Sequence, residues 1–282
     1  MWGFLLCQIR RRPCKASGSS LYGVLLFAPI LALMSLCGVA LATADMSVSP
    51  PRLELTLEPG QSVTEVIRVS NSATEKVHFK VYPMDWILSQ EGEFIPIPQG
   101  SGDRSASPWI TINPQEFDIA PGGTQEVRLG VKVPRDVAGG YRSVVFIESA
   151  PSQISGTFGV AVVGRIGVVV YITIAGTAVR SGNITDLTAE FDGGKGILSG
   201  KMGFENVGNV HLRLSGSVEI RDTAGTTVAK VEIPETVSLP GAYRQVPFAW
   251  HGKLSTGHYI VLAVLDYGGE VRVAGQTLLE VP

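Results

Sequence analysis

The 282-residue sequence predicts an all-β protein made of two sandwich domains in tandem behind an N-terminal leader. Three observations carry that prediction. From Met46 onward the chain runs in short alternating segments separated by Gly, Pro, Asn and Asp, with no sustained helical period. A turn phrase recurs at Leu57-Glu58-Pro59-Gly60, Ile119-Ala120-Pro121-Gly122 and Leu239-Pro240-Gly241, where Pro sets φ for one turn residue and Gly supplies positive φ at the next. The 238 residues after the leader are generous for one sandwich and suit two cores of about 100 to 130 residues each. The expected division is 1–44 as signal peptide, 45–177 as the first domain and 178–282 as the second.

The leader has the three parts of an export signal. Arg10, Arg11, Arg12 and Lys15 form the basic region, Leu21 to Leu36 the apolar region, and Ala40-Leu41-Ala42 or Ala42-Thr43-Ala44 the small-residue cleavage site. Retained as an anchor instead, it would still place the rest of the chain outside the cytoplasm. Cys7, Cys14 and Cys37 all lie within it, so the body of the protein has no disulfide, thiolate nucleophile or cysteine metal site. The leader also holds four of the 23 basic residues and none of the 25 acidic ones, leaving the body with a net charge of −6. Its Lys and Arg residues are scattered singly, which excludes nucleic acid as a partner.

The elements follow in order. Leu53 to Leu57, Val63 to Val69, Val127 to Val133 and Val144 to Ile147 alternate apolar and polar residues, as strands with one buried face do. The stretch Ser89 to Ser107, rich in Gly, Ser, Pro and Gln, reads as a long mobile loop without a role of its own. Residues 156–174 form an apolar run interrupted by one charge, Arg165, long enough to cross a bilayer. Its β-branched residues and the glycines at 156, 159, 164 and 167 favour strand over helix, and Arg165 would cost about 2.5 to 3.5 kcal/mol at a bilayer centre. No membrane span is therefore expected after the leader. A short linker near Ala175 to Gly182 precedes a second set of strands, punctuated by Asp192-Gly193-Gly194-Lys195, Asp222-Thr223-Ala224-Gly225 and Asp266-Tyr267-Gly268-Gly269.

Searches for catalytic chemistry find nothing. His78, His211, His251 and His258 are scattered and read as unrelated surface or strand residues. There is no Gly-x-Ser-x-Gly elbow, phosphate-cradling loop or dinucleotide fingerprint. Glu91 and Glu93, and likewise Asp85 and Glu91, read as a solvated face, and Trp86, Trp109 and Trp250 as core or interface packing. The expectation is a non-enzymatic protein without cofactor or metal.

One resemblance adds to this reading. Met46 to Asn71, Val77 to Trp86, Pro108 to Leu129 with its Ile119-Ala120-Pro121-Gly122-Gly123 turn, and Tyr141 to Ile147 resemble, in order and spacing, strands of the PapD-like periplasmic pilus-assembly chaperones. The resemblance covers about residues 46–174. It implies an immunoglobulin-like sandwich whose last strand lends alternating apolar side chains to an incomplete pilus subunit. Phe158, Val160 and Val162 match those donor positions, and a strand that instead filled its own core would bury the same row. Arg52, in Pro-Pro-Arg-Leu-Glu-Leu, matches the family's carboxylate-anchoring Arg. The family's anchoring Lys falls on Gly167, with Arg165 two residues away on the same face as the substitute. Phe204 to Leu212, containing Asn206-Val207-Gly208-Asn209-Val210-His211, departs from the family's second domain and is similar to Ig-like domains of bacterial exported and cell-surface proteins. The implied partners are β-rich secreted or pilus-type subunits, bound in the periplasm or cell envelope. The alternative implied by the same fold is a structural or adhesive envelope protein with no chaperone activity.

Overall fold

A computed structural model describes residues 46–153 and 161–282. The first sandwich is made by β1 (Met46–Ser49), β2 (Arg52–Leu57), β3 (Ser62–Asn71), β4 (Val77–Leu88), β5 (Phe94–Ile97), β6 (Ile110–Asn113), β7 (Glu116–Ile119), β8 (Thr124–Lys132), β9 (Gly140–Ser149) and β12 (Arg165–Ile174), with β10 (Ser152–Gln153) and β11 (Ala161–Val162) extending the β9–β12 connection. One sheet has the order β1-β3-β8-β6 and the facing sheet the order β2-β12-β9-β4-β5, with β7 also paired to β4. The second sandwich is made by β13 (Gly182–Asp192), β14 (Ile197–Asn206), β15 (Leu212–Arg221), β16 (Thr227–Ser238), β17 (Tyr243–His251), β18 (Gly257–Asp266) and β19 (Val273–Val281). Its sheets are β13-β14-β17 and β16-β15-β18-β19. The protein is all-β, two immunoglobulin-like sandwiches in tandem, and no helix of the described residues is long and apolar enough to cross a membrane.

Period-two patterning explains which residues are inside. On β12, Val168, Val170, Ile172 and Ile174 are fully buried and meet Ile67, Val69, Phe79, Val127, Leu129 and Ile147 from both sheets. Leu198, Met202, Phe204, Leu212, Leu214, Ile220, Val261 and Leu265 form the corresponding core of the second sandwich. A third apolar cluster joins the two bodies: Trp86, Val144, Phe146 and Tyr171 on the outer face of the β2-β12-β9-β4 sheet meet Leu239, Val237 and Ala242 of the second sandwich.

Two of the three Pro-Gly phrases are one structural device used twice. Asn71, at the end of β3, is buried and donates through Nδ2 to the carbonyls of Glu75 (2.8 Å) and Ile119 (3.0 Å), while its Oδ1 accepts from Ala73 N–H (2.9 Å). Asn206, at the end of β14, does the same with Val210 (2.9 Å), Ser238 (3.1 Å) and Gly208 N–H (3.0 Å). The turn then clasps the Asn backbone: Gly122 N–H donates to Asn71 O and Gly241 N–H to Asn206 O, both at 2.9 Å. The third phrase is different, since Gly60 N–H goes to Pro134 O instead.

The stretch from Ser89 to Ser107 is not a long structureless loop. It contains β5 and a 3-10 turn at Ser107–Trp109. Asp85, expected on a solvated face, is instead buried, accepting from Gly102 N–H (2.9 Å) and Ser105 Oγ (2.7 Å), and Arg142 N–H donates to Arg104 O (2.9 Å). Polar composition suggested mobility because the buried carboxylate that organises those polar groups lies outside the stretch, on β4.

Candidate functional site

β12 is covered on one side only in part. It pairs antiparallel with β9 from Arg165 to Thr173, and parallel with β2 from Val169, opposite Arg52, to Ile174, opposite Leu57. Residues 165–168 thus have a partner on the β9 side alone, among the described residues. The cause lies in the chain's first strands. β1 pairs with β3 in the other sheet, and the chain reaches β12 only after Pro50 and Pro51. Val169 N–H donates to Pro51 O (3.3 Å), so the odd residues of β12 turn their backbone groups toward the β2 side. By the alternation of an antiparallel ladder, Arg165 and Gly167 turn theirs the same way, into the open stretch. Here β12 can accept another strand.

The outer face of this edge explains Gly167. A Cβ built there would lie 2.8 Å from Val144 Cγ2 and 3.1 Å from the Phe146 ring, closer than packed carbons tolerate. Phe146, directly across on β9, fills the space that a longer side chain at 167 would need. Arg165 sits over the Phe146 ring with its guanidinium carbon 5.2 Å from the centroid, and pairs with Glu148 (2.6 Å). Tyr82 OH donates to Glu148 (2.6 Å), and this bond first, then Arg165, holds the Glu148 carboxyl below its usual range. Arg165 therefore shares the face of Gly167 but already has a carboxylate partner.

Farther along the same face, the two sandwiches bring four charges together. Arg52 and Glu54 alternate on β2 and point the same way, joined by a 2.8 Å ion pair between Nε and Oε1. Arg213 reaches across from β15 in the second sandwich. Its Nη2 contacts that same Glu54 Oε1, and its Nη1 contacts Glu235 Oε1 at 2.7 Å. Beside this chain lies a pocket of about 520 Å³ lined by Pro51, Arg52, Val169, Tyr171, Arg213 and Val237. Deeper in the interface, Tyr171 and His211 stack with centroids 3.9 Å apart and planes at 22°. Burial, and next the charge of Arg213, lower the His211 pKa from 6.5 to about 4, so the ring is neutral at pH 7. Burial likewise raises the Tyr171 phenol above its usual value.

Further hydrogen bonds tie the sandwiches beside this cleft. Asn209 accepts through its carbonyl from Gly140 N–H (2.8 Å), and its side chain holds the linker through Thr177 O (2.9 Å) and Val179 N–H (2.7 Å). On the other flank, Gln90 O at the tip of the β4–β5 hairpin accepts from Gln245 N–H (2.7 Å) and Arg244 Nη1 (2.6 Å). Gly92 turns the chain there at φ +89°, a conformation that L side chains rarely adopt, and the Arg244 guanidinium lies in the space left beside it.

The residues expected from sequence thus have different standings. Arg52 lies in the cleft beside the point where the open edge ends, and Arg165 lies on that edge. Phe158 and Val160 lie outside the described residues, and Val162 is described only by its backbone pairing with Ser152. His211, expected as an unrelated surface or strand residue, is instead interface packing. Arg213 was not foreseen. It follows His211 by two residues, so both turn to the same side of the strand, but nothing local marks that side as the one facing another sandwich.

No protein-family model matches the chain, and no curated protein matches it. Solved structures that are similar include fimbrial chaperones. A chain from a chaperone–tip adhesin complex of CFA/I fimbriae biogenesis has a TM-score of 0.45 and 16% identity, covering 85% of this chain and 100% of its own. A chain from the Salmonella enterica SafA pilin–SafB chaperone complex has a TM-score of 0.42 and 12% identity, covering 83% and 97%. The Pseudomonas aeruginosa CupB2 chaperone has a TM-score of 0.41 and 12% identity, covering 83% and 100%. The likeness is one of fold.

Proposed function

We propose that this is an exported, periplasmic, non-enzymatic chaperone-like protein that binds β-rich secreted or pilus-type subunits by pairing one of their strands along the open edge of β12. The observation that carries the reading is the part-covered strand: among the described residues, β12 is paired on both sides from Val169 onward and on one side over 165–168. A free, regular edge flanked by apolar residues is an aggregation hazard unless it has a partner. The geometry also orients the added strand. Pairing that runs along β12 toward Val169 stops where β2 begins, beside Arg52 and Arg213. Guanidinium groups favour a terminal carboxylate there over a terminal amine, which makes the added strand parallel to β12.

Backbone hydrogen exchange tests the reading directly. An eight-residue peptide of alternating Val and Ser, added to the purified protein, is expected to slow exchange of the Arg165 and Gly167 amides about tenfold or more while leaving the β19 edge unchanged. Unchanged exchange at 165 and 167 with peptide bound would show that the edge is not the binding site.

A further inference from the structure

The outward face of the second sandwich's larger sheet is apolar where the matching face of the first is not. β18 holds an unbroken apolar run from Ile260 to Leu265, the pattern of a strand buried on both faces. The chain itself covers only one of them. Val261, Ala263 and Leu265 are fully buried in the core, and by alternation Ile260, Leu262 and Val264 turn outward. On β19, Leu278 lies beside Ile260 and Ala274 beside Val264, and Leu278 is 79% exposed. The matching face of the first sandwich, on β3 and β8, carries the Arg68–Glu126 ion pair (3.2 Å) and the Ser70–Thr124 hydrogen bond (2.9 Å) instead. Contiguous apolar surface of this kind marks an interaction site.

Charge placement fits this face to itself. At one end of the row Arg272 pairs with Asp266 (3.5 Å), and at the other Glu280 lies opposite His258. The two ends are equally far along the strands from Leu262 and Gln276, which lie opposite each other. A twofold axis crossing the strands at that level sets Arg272 against the second copy's Glu280, and Asp266 against the second copy's His258. Leu278 then lies over the second copy's Ala274, and Leu262 meets itself. Large meets small, and opposite charges meet at both ends. Turning about an axis along the strands would instead set Leu278 against Arg221, which lies opposite Ile260 on β15. Glu219, which faces its own copy at the rim, is already held by Arg221 (2.6 Å).

We propose that this face of β18 and β19 is a homodimer interface, in which two copies pack sheet on sheet with their strands antiparallel. From strand spacing and rise the face is about 15 Å wide and about 30 Å long, at the small end of specific interfaces, so dimers form in the micromolar range. The interface uses no residue of the open edge of β12, so it is independent of the strand-pairing reading.

Sedimentation velocity of the purified protein from about 1 to 100 µM is expected to show a monomer–dimer equilibrium. Leu262→Lys sets two ammonium groups against each other on the axis and is expected to weaken dimerisation about twentyfold or more. Leu278→Lys, at a position too exposed to disturb the fold, is expected to weaken it about fivefold or more. Arg272→Glu and Glu280→Arg each set like charges together and are expected to dimerise about fivefold more weakly alone. An equimolar mixture of the two is expected to recover the wild-type constant within about twofold, as a heterodimer. Thermal melting checks that each variant folds. Wild type that stays monomeric at about 100 µM would overturn the interface, and its co-sedimentation with phosphatidylethanolamine–phosphatidylglycerol vesicles would assign the face to a membrane surface instead. A dimer that neither lysine variant weakens would place the contact elsewhere on the chain and overturn the proposal. Charge variants that fail to pair when mixed would overturn the antiparallel twofold.

Discussion

At position 167 the absence of a side chain is a packing requirement. Val144 Cγ2 and the Phe146 ring stand where a Cβ would go, and Phe146 in turn supports Arg165. Gly167→Lys is therefore expected to lower stability by about 1 to 3 kcal/mol through overpacking. Urea unfolding checks this; a variant as stable as wild type would show that the crowding is easily relieved. The residue scale also shows what could be read in advance. Arg52 stood out only through the family resemblance, as the residue of Pro-Pro-Arg-Leu-Glu-Leu that matches the family's anchoring Arg. Arg213 did not, because facing another domain is a property of assembly. His211 was missed for the same reason, its neutral, stacked state being set by Tyr171 and Arg213 from elsewhere in the chain.

Strands, unlike sites, were readable almost throughout. The β-branched residues from Val168 to Ile174 placed that segment in a sheet, where Val168, Val170, Ile172 and Ile174 are buried on one face. What alternation cannot show is where a neighbour stops, and the functional interest of β12 lies in that limit. The Ser89–Ser107 stretch failed for a related reason, since buried Asp85 organises it from outside. At this scale the Asn device makes a paired prediction. Asn71→Ala and Asn206→Ala each remove three hydrogen bonds of a buried amide and strand two carbonyls, at an expected cost of about 2 to 4 kcal/mol. Denaturant midpoints measure both; a loss below about 0.5 kcal/mol would mean that water replaces the amide.

For the whole molecule, the interface between sandwiches sets the response to acid. His211 faces Tyr171, Glu54, Arg213, Arg180 and Arg52, and its pKa falls from 6.5 to about 4 on folding. The unfolded chain therefore takes up the proton first as pH drops. Stability present above about pH 6.5 is lost as pH falls toward 4, by up to about 3 kcal/mol for this group. His211→Gln is expected to flatten the part of the unfolding free-energy profile between pH 6.5 and 4.5; parallel profiles for variant and wild type would assign the acid response to other groups. The interface is drawn from several parts of the chain: the linker through Asn209, the β4–β5 hairpin through Gln90, and the apolar cluster around Leu239. Losing His211 stacking thus weakens one of several ties between the bodies.

The duplicated Asn clasp gives the protein two matched reporters. Gly122 N–H and Gly241 N–H each end on the backbone of a buried Asn far away in sequence, so neither amide can be satisfied this way until its own sandwich has closed. The lifetime of each bond is a local clock, one per sandwich, running on the same chemistry. Any difference in their rates belongs to the surroundings of the two clasps and not to the clasp itself.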